Sequence, residues 1–141
     1  MAGKSLAQVV AVAVGIVYTA IGVIGFGVTG LSGFFNANGS SLLGFGINPF
    51  HNLVHLAIGL YLLFAATRDT ALTEGALIGG GGVYVVAAIS GFVYAHIPIL
   101  TIVTTNAADN WLHLVSGVTA MLVGFISATA TQRQRRNVVA Y

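Results

Sequence analysis

The sequence predicts an all-α integral membrane protein, a four-helix transmembrane bundle built from two parallel, pseudo-repeated helical hairpins with both termini cytoplasmic. Three observations lead there. First, charge is scarce: 6% of the 141 residues are charged and 57% are hydrophobic, whereas about a quarter of a soluble domain is charged. Second, no Asp, Glu, Lys or Arg occurs from Ser5 to Thr67, from Gly75 to Ala108 or from Asn110 to Gln132. Crossing about 30 Å of hydrocarbon takes roughly 20 apolar residues, so the first gap holds two spans and the others hold one each. Third, Lys4 precedes the first span, Arg68 lies between the second and third, and Arg133, Arg135 and Arg136 follow the fourth, while the other two connections lack Lys and Arg. By the positive-inside rule, both termini face the cytoplasm. The spans fill residues 1–141 as a single domain, which excludes a catalytic domain in water, and five basic residues are too few for a nucleic-acid surface.

The helices fall at about 6–28, 49–66, 71–94 and 107–130, with an outer connection at 29–48. The first apolar run exceeds the 7–15 residues of a signal-peptide core and reads as a retained helix. Turn residues Asn38-Gly39, Gly44 and Gly46 alternate in the connection with Leu31, Phe34, Phe35, Leu42, Leu43 and Phe45. So apolar a loop is expected to fold back on the bundle or lie in the interface. Asn48 caps the second helix, Pro49 suits its first position because the missing N–H would be unpaired there, and His51 follows in the first turn. In the third helix, Gly75 and Gly79 to Gly82 lack the Lys-Ser/Thr of a phosphate loop and are expected to pack on helix one through Gly15 and Gly22. Asn106 caps the fourth helix, with Asp109 facing the positive end of its dipole. Tyr94, His96 and Trp111 read as interfacial residues, and the deeper Tyr18 hydroxyl needs a partner inside the bundle. Without cysteines there are no disulfides and no thiolate chemistry.

An internal repeat carries most of the remaining information. Asn48, Asn52, His55, Leu56 and Gly59 recur as Asn106, Asn110, His113, Leu114 and Gly117 at an offset of 58, and Tyr18 and Gly25-Phe26 recur as Tyr84 and Gly91-Phe92 at an offset of 66. Both hairpins then start from the same side, related by an axis along the membrane normal. The motifs N-P-x-H-N-x-x-H-L and N-x-x-D-N-x-x-H-L, on helices two and four of a four-span chain, resemble the prokaryotic membrane family called domain of unknown function 4383. That resemblance covers essentially the whole chain and implies the four-helix fold, with no activity attached.

Spacings of 4, 3 and 4 place Asn48, Asn52, His55 and Gly59 on one helix face, and Asn106, Asn110, His113 and Gly117 on another. Polar groups at membrane depth should point into protein. Two uses fit the stripe. In the first, Asn52, His55, Asn110 and His113 hydrogen-bond across the bundle of a non-catalytic accessory or self-associating scaffold subunit, with helix-start residues His51 and Asp109 explained by capping. In the second, His55 and His113 ligate haem b for electron transfer or, with His51 or Asp109, hold a metal ion. The expected surroundings are the lipid bilayer of a prokaryotic cytoplasmic membrane, and the expected partners are further copies of the chain or a larger membrane complex.

Overall fold

The structure is a computed structural model that describes residues 4–36, 39–93 and 106–139. Four helices dominate it: α1 (Leu6–Thr29), α2 (Pro49–Thr67), α3 (Thr70–Val93) and α4 (Ala107–Val139). Each is long and apolar enough to cross a membrane. Asn38, Tyr94 and His96 lie outside the described residues.

Each helix begins where its sequence supplies a cap. At α1, Ser5 and Gln8 form a reciprocal capping box, satisfying two amides that the helix leaves without partners. Asn48 caps α2 and Pro49 occupies its first turn, and Asp69 accepts the Leu72 amide at 2.8 Å to start α3. α4 runs on to Val139, well beyond the expected end near 130. The segment from Ala128 onward contains neither Gly nor Pro; the apolar pattern ends at the edge of the hydrocarbon while the backbone has no reason to stop.

The most extensive contacts join α1 to α2 and α3 to α4. Gln8 Nε2 donates to the Ala66 carbonyl at 3.4 Å, while Ser127 and Thr131 donate to Glu74 Oε1 at 2.8 and 2.9 Å. The start of α1, the end of α2, the start of α3 and the later turns of α4 therefore share one end of the bundle. Ala7, Ala11, Leu62, Ala65, Ala66, Ala76 and Leu77 form a small-residue core there. Outward faces carry Val9, Ile16, Val23, Leu60, Val86, Val115 and Leu122, all exposed; such side chains suit lipid, in which the helices satisfy their own backbone groups.

Glycines set how closely the helices approach. A Cβ on Gly15 would meet the Gly59 carbonyl at 3.0 Å and Leu63 Cγ at 2.9 Å, and one on Gly22 would meet the Asn52 carbonyl at 2.8 Å, so both face α2. Gly81 lies against Gly117 and Met121 of α4, Gly80 touches only Ile58, and Gly75, Gly79 and Gly82 have nothing within 4 Å. The expected packing of the helix-three glycines on α1 is thus replaced by one glycine contact to α4, because each helix pairs with its neighbour along the chain.

The connection between α1 and α2 contains a short antiparallel hairpin, β1 (Ser40–Leu42) paired with β2 (Phe45–Ile47). Its two turn residues, Leu43 and Gly44, have φ of 54° and 89°, the left-handed pair that a two-residue hairpin requires. Three-residue strands are too short for alternation to reveal in sequence. The connection folds back over the bundle: Phe50 N donates to the Phe34 carbonyl at 3.2 Å, Asn48 Nδ2 to Asn36 O at 3.2 Å and Asn106 Nδ2 to Gly44 O at 2.7 Å. Phe34, Phe35 and Phe50 pack ring against ring beside it.

Candidate functional site

Beneath that connection, α2 presents His51 and His55 one turn apart, and α4 presents Asp109 and His113 at the same spacing. The helix caps hold both pairs in place. Asn48 Oδ1 accepts the His51 amide at 2.8 Å and Asn106 Oδ1 accepts the Asp109 amide at 3.0 Å. Each cap fixes the first turn, so the polar residue three positions on points inward instead of at lipid. His51, His55, Asp109 and His113 are all buried, none more than 6% exposed.

The four side chains converge. His51 Nε2 lies 2.8 Å from His55 Nε2, with the rings stacked at 4.7 Å, and the His113 ring centroid is 5.4 Å from His51 and 5.9 Å from His55. One ligand atom from each histidine falls within 4.8 Å of the other two. Asp109 reaches toward both helices, with Oδ1 3.6 Å from His113 Nε2 and Oδ2 3.8 Å from His51 Nδ1. Those separations are too long for hydrogen bonds.

The polar groups are unevenly satisfied. His51 Nδ1 meets the Gly46 carbonyl at 3.0 Å and His55 Nδ1 meets the Tyr84 hydroxyl at 2.9 Å. Both ring nitrogens of His113 and Oδ2 of Asp109 are buried with no hydrogen-bond partner among the described residues. An unpaired buried polar group costs about 1–3 kcal/mol, so three such atoms beside two further imidazoles mark a place where an additional atom would be stabilising.

Tyrosines close the site from the other helices. Tyr18 of α1 meets His55 edge-on at 5.3 Å and Tyr84 of α3 meets His113 edge-on at 4.8 Å. Between the tyrosines and the connection, the asparagines fill glycine notches: a Cβ on Gly25 would collide with the Asn52 carboxamide, and one on Gly91 with that of Asn110. Asn52 Nδ2 also donates to Thr29 Oγ1 at 2.9 Å.

Residues 8–126 match the family described as Domain of unknown function (DUF4383). The chain belongs to that family. No curated protein and no solved structure matches it, so for this DUF4383 chain the chemistry has to be read from its own side chains.

Sequence reasoning left two uses open for His51 and Asp109, helix-start residues explained by capping or a further donor to a metal held by His55 and His113. The structure carries their side chains into the cluster with His55 and His113. Tyr84 was missed as a site residue. Its signal was the 66-residue offset from Tyr18, which places a tyrosine at one level of each hairpin.

Haem does not fit these residues. A macrocycle between His55 and His113 needs a flat open slot, whereas His51 and Tyr84 pack against both rings and fill its flanks. A single ion needs no slot. A tetrahedral zinc ion with Zn–N bonds of about 2.0–2.1 Å holds its donors about 3.3 Å apart, a separation bracketed by the 2.8 Å between His51 and His55 and the 4.8 Å spread of the three histidines.

Proposed function

We propose that this chain is a multi-pass membrane protein that binds one divalent transition-metal ion inside its bundle, through His51, His55 and His113 with Asp109 as the fourth donor. The observation that carries this reading is the buried three-imidazole cluster whose third member, His113, has two unpartnered nitrogens. Imidazole donors suit zinc, copper, iron or nickel, whereas magnesium and calcium take oxygen. Asp109 adds a carboxylate that offsets one of the ion's two charges, which matters where charge is poorly solvated. Zinc titration of the full-length protein in lipid nanodiscs tests it: one ion per chain is the expected result, and no binding at micromolar zinc overturns it.

A second reading assigns the asparagines of the seam to structure, in a non-catalytic accessory or self-associating subunit. It is favoured by the matched seating of Asn52 against Gly25 and of Asn110 against Gly91. We propose that the two hairpins are repeats of one unit. Gly15–Gly59 and Gly81–Gly117, Tyr18–His55 and Tyr84–His113 are the same contacts made twice. The repeats then share a single metal site, with His51 on one side answered by Asp109 on the other.

Both termini are placed in the cytoplasm, of a prokaryotic cell on this reading, because every Lys and Arg belongs to segments that this orientation puts inside. Labelling of single cysteines checks it. Ser40→Cys is expected to react with an impermeant maleimide added to intact cells and Ser5→Cys only after lysis; the opposite pattern reverses the orientation.

A further inference from the structure

We infer that Tyr84 is the positioning residue of this metal site: its hydroxyl donates to His55 when the site is empty and accepts from it when the ion is bound. The inference rests on the metal reading above and adds to it a residue that touches no metal. It follows from the direction of one hydrogen-bond chain.

The Gly46 carbonyl can only accept, so His51 Nδ1, 3.0 Å away, carries the hydrogen. In a neutral imidazole the other nitrogen then has the lone pair, so His51 Nε2 accepts across its 2.8 Å contact with His55 Nε2. His55 therefore bears its hydrogen on Nε2 and has its lone pair on Nδ1, where the Tyr84 O–H donates at 2.9 Å. Every link has one donor and one acceptor, and the carbonyl at the end permits no reversal.

An ion between the histidines changes one requirement. It needs a lone pair on the inward nitrogen of His55, which is Nε2, because Nδ1 faces Tyr84. The hydrogen must move to Nδ1, and a buried Nδ1–H needs an acceptor. Tyr84 meets this need because a phenol oxygen both donates and accepts, and its own hydrogen then turns to the Tyr18 hydroxyl, to which it is hydrogen-bonded; the imidazole gains and loses no proton overall. The tyrosine is fixed for this task. It is 5% exposed, and a Cβ on Gly117 would lie 3.0 Å from its own Cβ, so α3 sits close on α4 at this level.

Zinc titration of wild-type protein and of Tyr84→Phe in nanodiscs, with 15N-histidine spectra of the wild type, tests the inference. The variant is expected to keep one site per chain and bind zinc about 10–100-fold more weakly, the usual cost of removing the group behind a ligating histidine. In the wild type, the hydrogen of His55 is expected on Nε2 without zinc and on Nδ1 with it, a signature that loss of packing would not produce. Equal affinity in Tyr84→Phe, or a hydrogen already on Nδ1 in the zinc-free protein, overturns the role of Tyr84 while leaving the metal site standing. Should the variant fail to fold, the wild-type spectra decide alone. A wild type that binds no zinc removes both.

Discussion

Replacing His113 by leucine is expected to abolish zinc binding while leaving the metal-free bundle at least as stable as the wild type. The two halves of this result have different causes. For binding, His113 is the only imidazole that α4 provides, and without it the remaining donors are the adjacent His51 and His55 of α2 and the single carboxylate of Asp109. The loss should exceed the roughly 10–100-fold penalty for disturbing a residue behind a ligand. For stability, both nitrogens of His113 are buried without a partner among the described residues, so a leucine of similar bulk relieves an unpaired polar group worth about 1–3 kcal/mol.

His55 makes the informative contrast. Its nitrogens hold Tyr84 at 2.9 Å and His51 at 2.8 Å, so His55→Leu strands two partners and should cost both zinc and stability. A purely structural seam predicts that the two histidines behave alike and that His113→Leu loosens the bundle by about 0.6–2 kcal/mol, the scale of interhelical hydrogen bonds in lipid. Calorimetry with zinc and reversible unfolding in mixed micelles measure the two quantities separately. Zinc bound by His113→Leu with wild-type affinity would remove the histidine from the site.

How far the sequence reaches depends on the range of the forces involved. The four spans were legible because solvation by lipid acts on every residue of a 20-residue run, and uncharged stretches of that length have few other meanings. The seam was legible through period and repeat, which are local properties of α2 and α4. Whether His51 turns inward was not legible, because an Asn cap explains a first-turn histidine as well as a buried site does; the difference lies in the Gly46 carbonyl, brought over the site by a hairpin of three-residue strands. Tyr84 lay hidden for a related reason. A tyrosine within an apolar helix is ordinary, and only the docking of α3 on α4 puts its hydroxyl against a histidine of α2. The extent of α4 beyond 130 was missed because hydropathy reports the membrane boundary and the helix continues past it.

The largest structural effect is expected at Gly59, a position that carries no chemistry. A Cβ there would lie 2.6 Å from the Thr19 amide nitrogen and 2.9 Å from the Gly15 carbonyl oxygen. Both are backbone atoms of α1, so a methyl group cannot be accommodated by turning a side chain; the helices must separate along the contact that also aligns Tyr18 with His55. Gly117, its counterpart on α4, faces the Gly81 carbonyl at 2.7 Å in the same manner. Gly59→Ala is therefore expected to destabilise the bundle by about 1–3 kcal/mol, the usual cost of forcing volume into a packed contact, and Gly117→Ala by a similar amount. The control lies in the same protein. Gly75, Gly79 and Gly82 have nothing within 4 Å of an added Cβ, so Gly82→Ala should be neutral or slightly stabilising, since alanine is the better helix former by about 1 kcal/mol in water. Reversible unfolding of the three variants in one micelle composition provides the comparison. If Gly59→Ala and Gly82→Ala unfold alike, the close approach of α1 and α2 is not what holds the hairpin together.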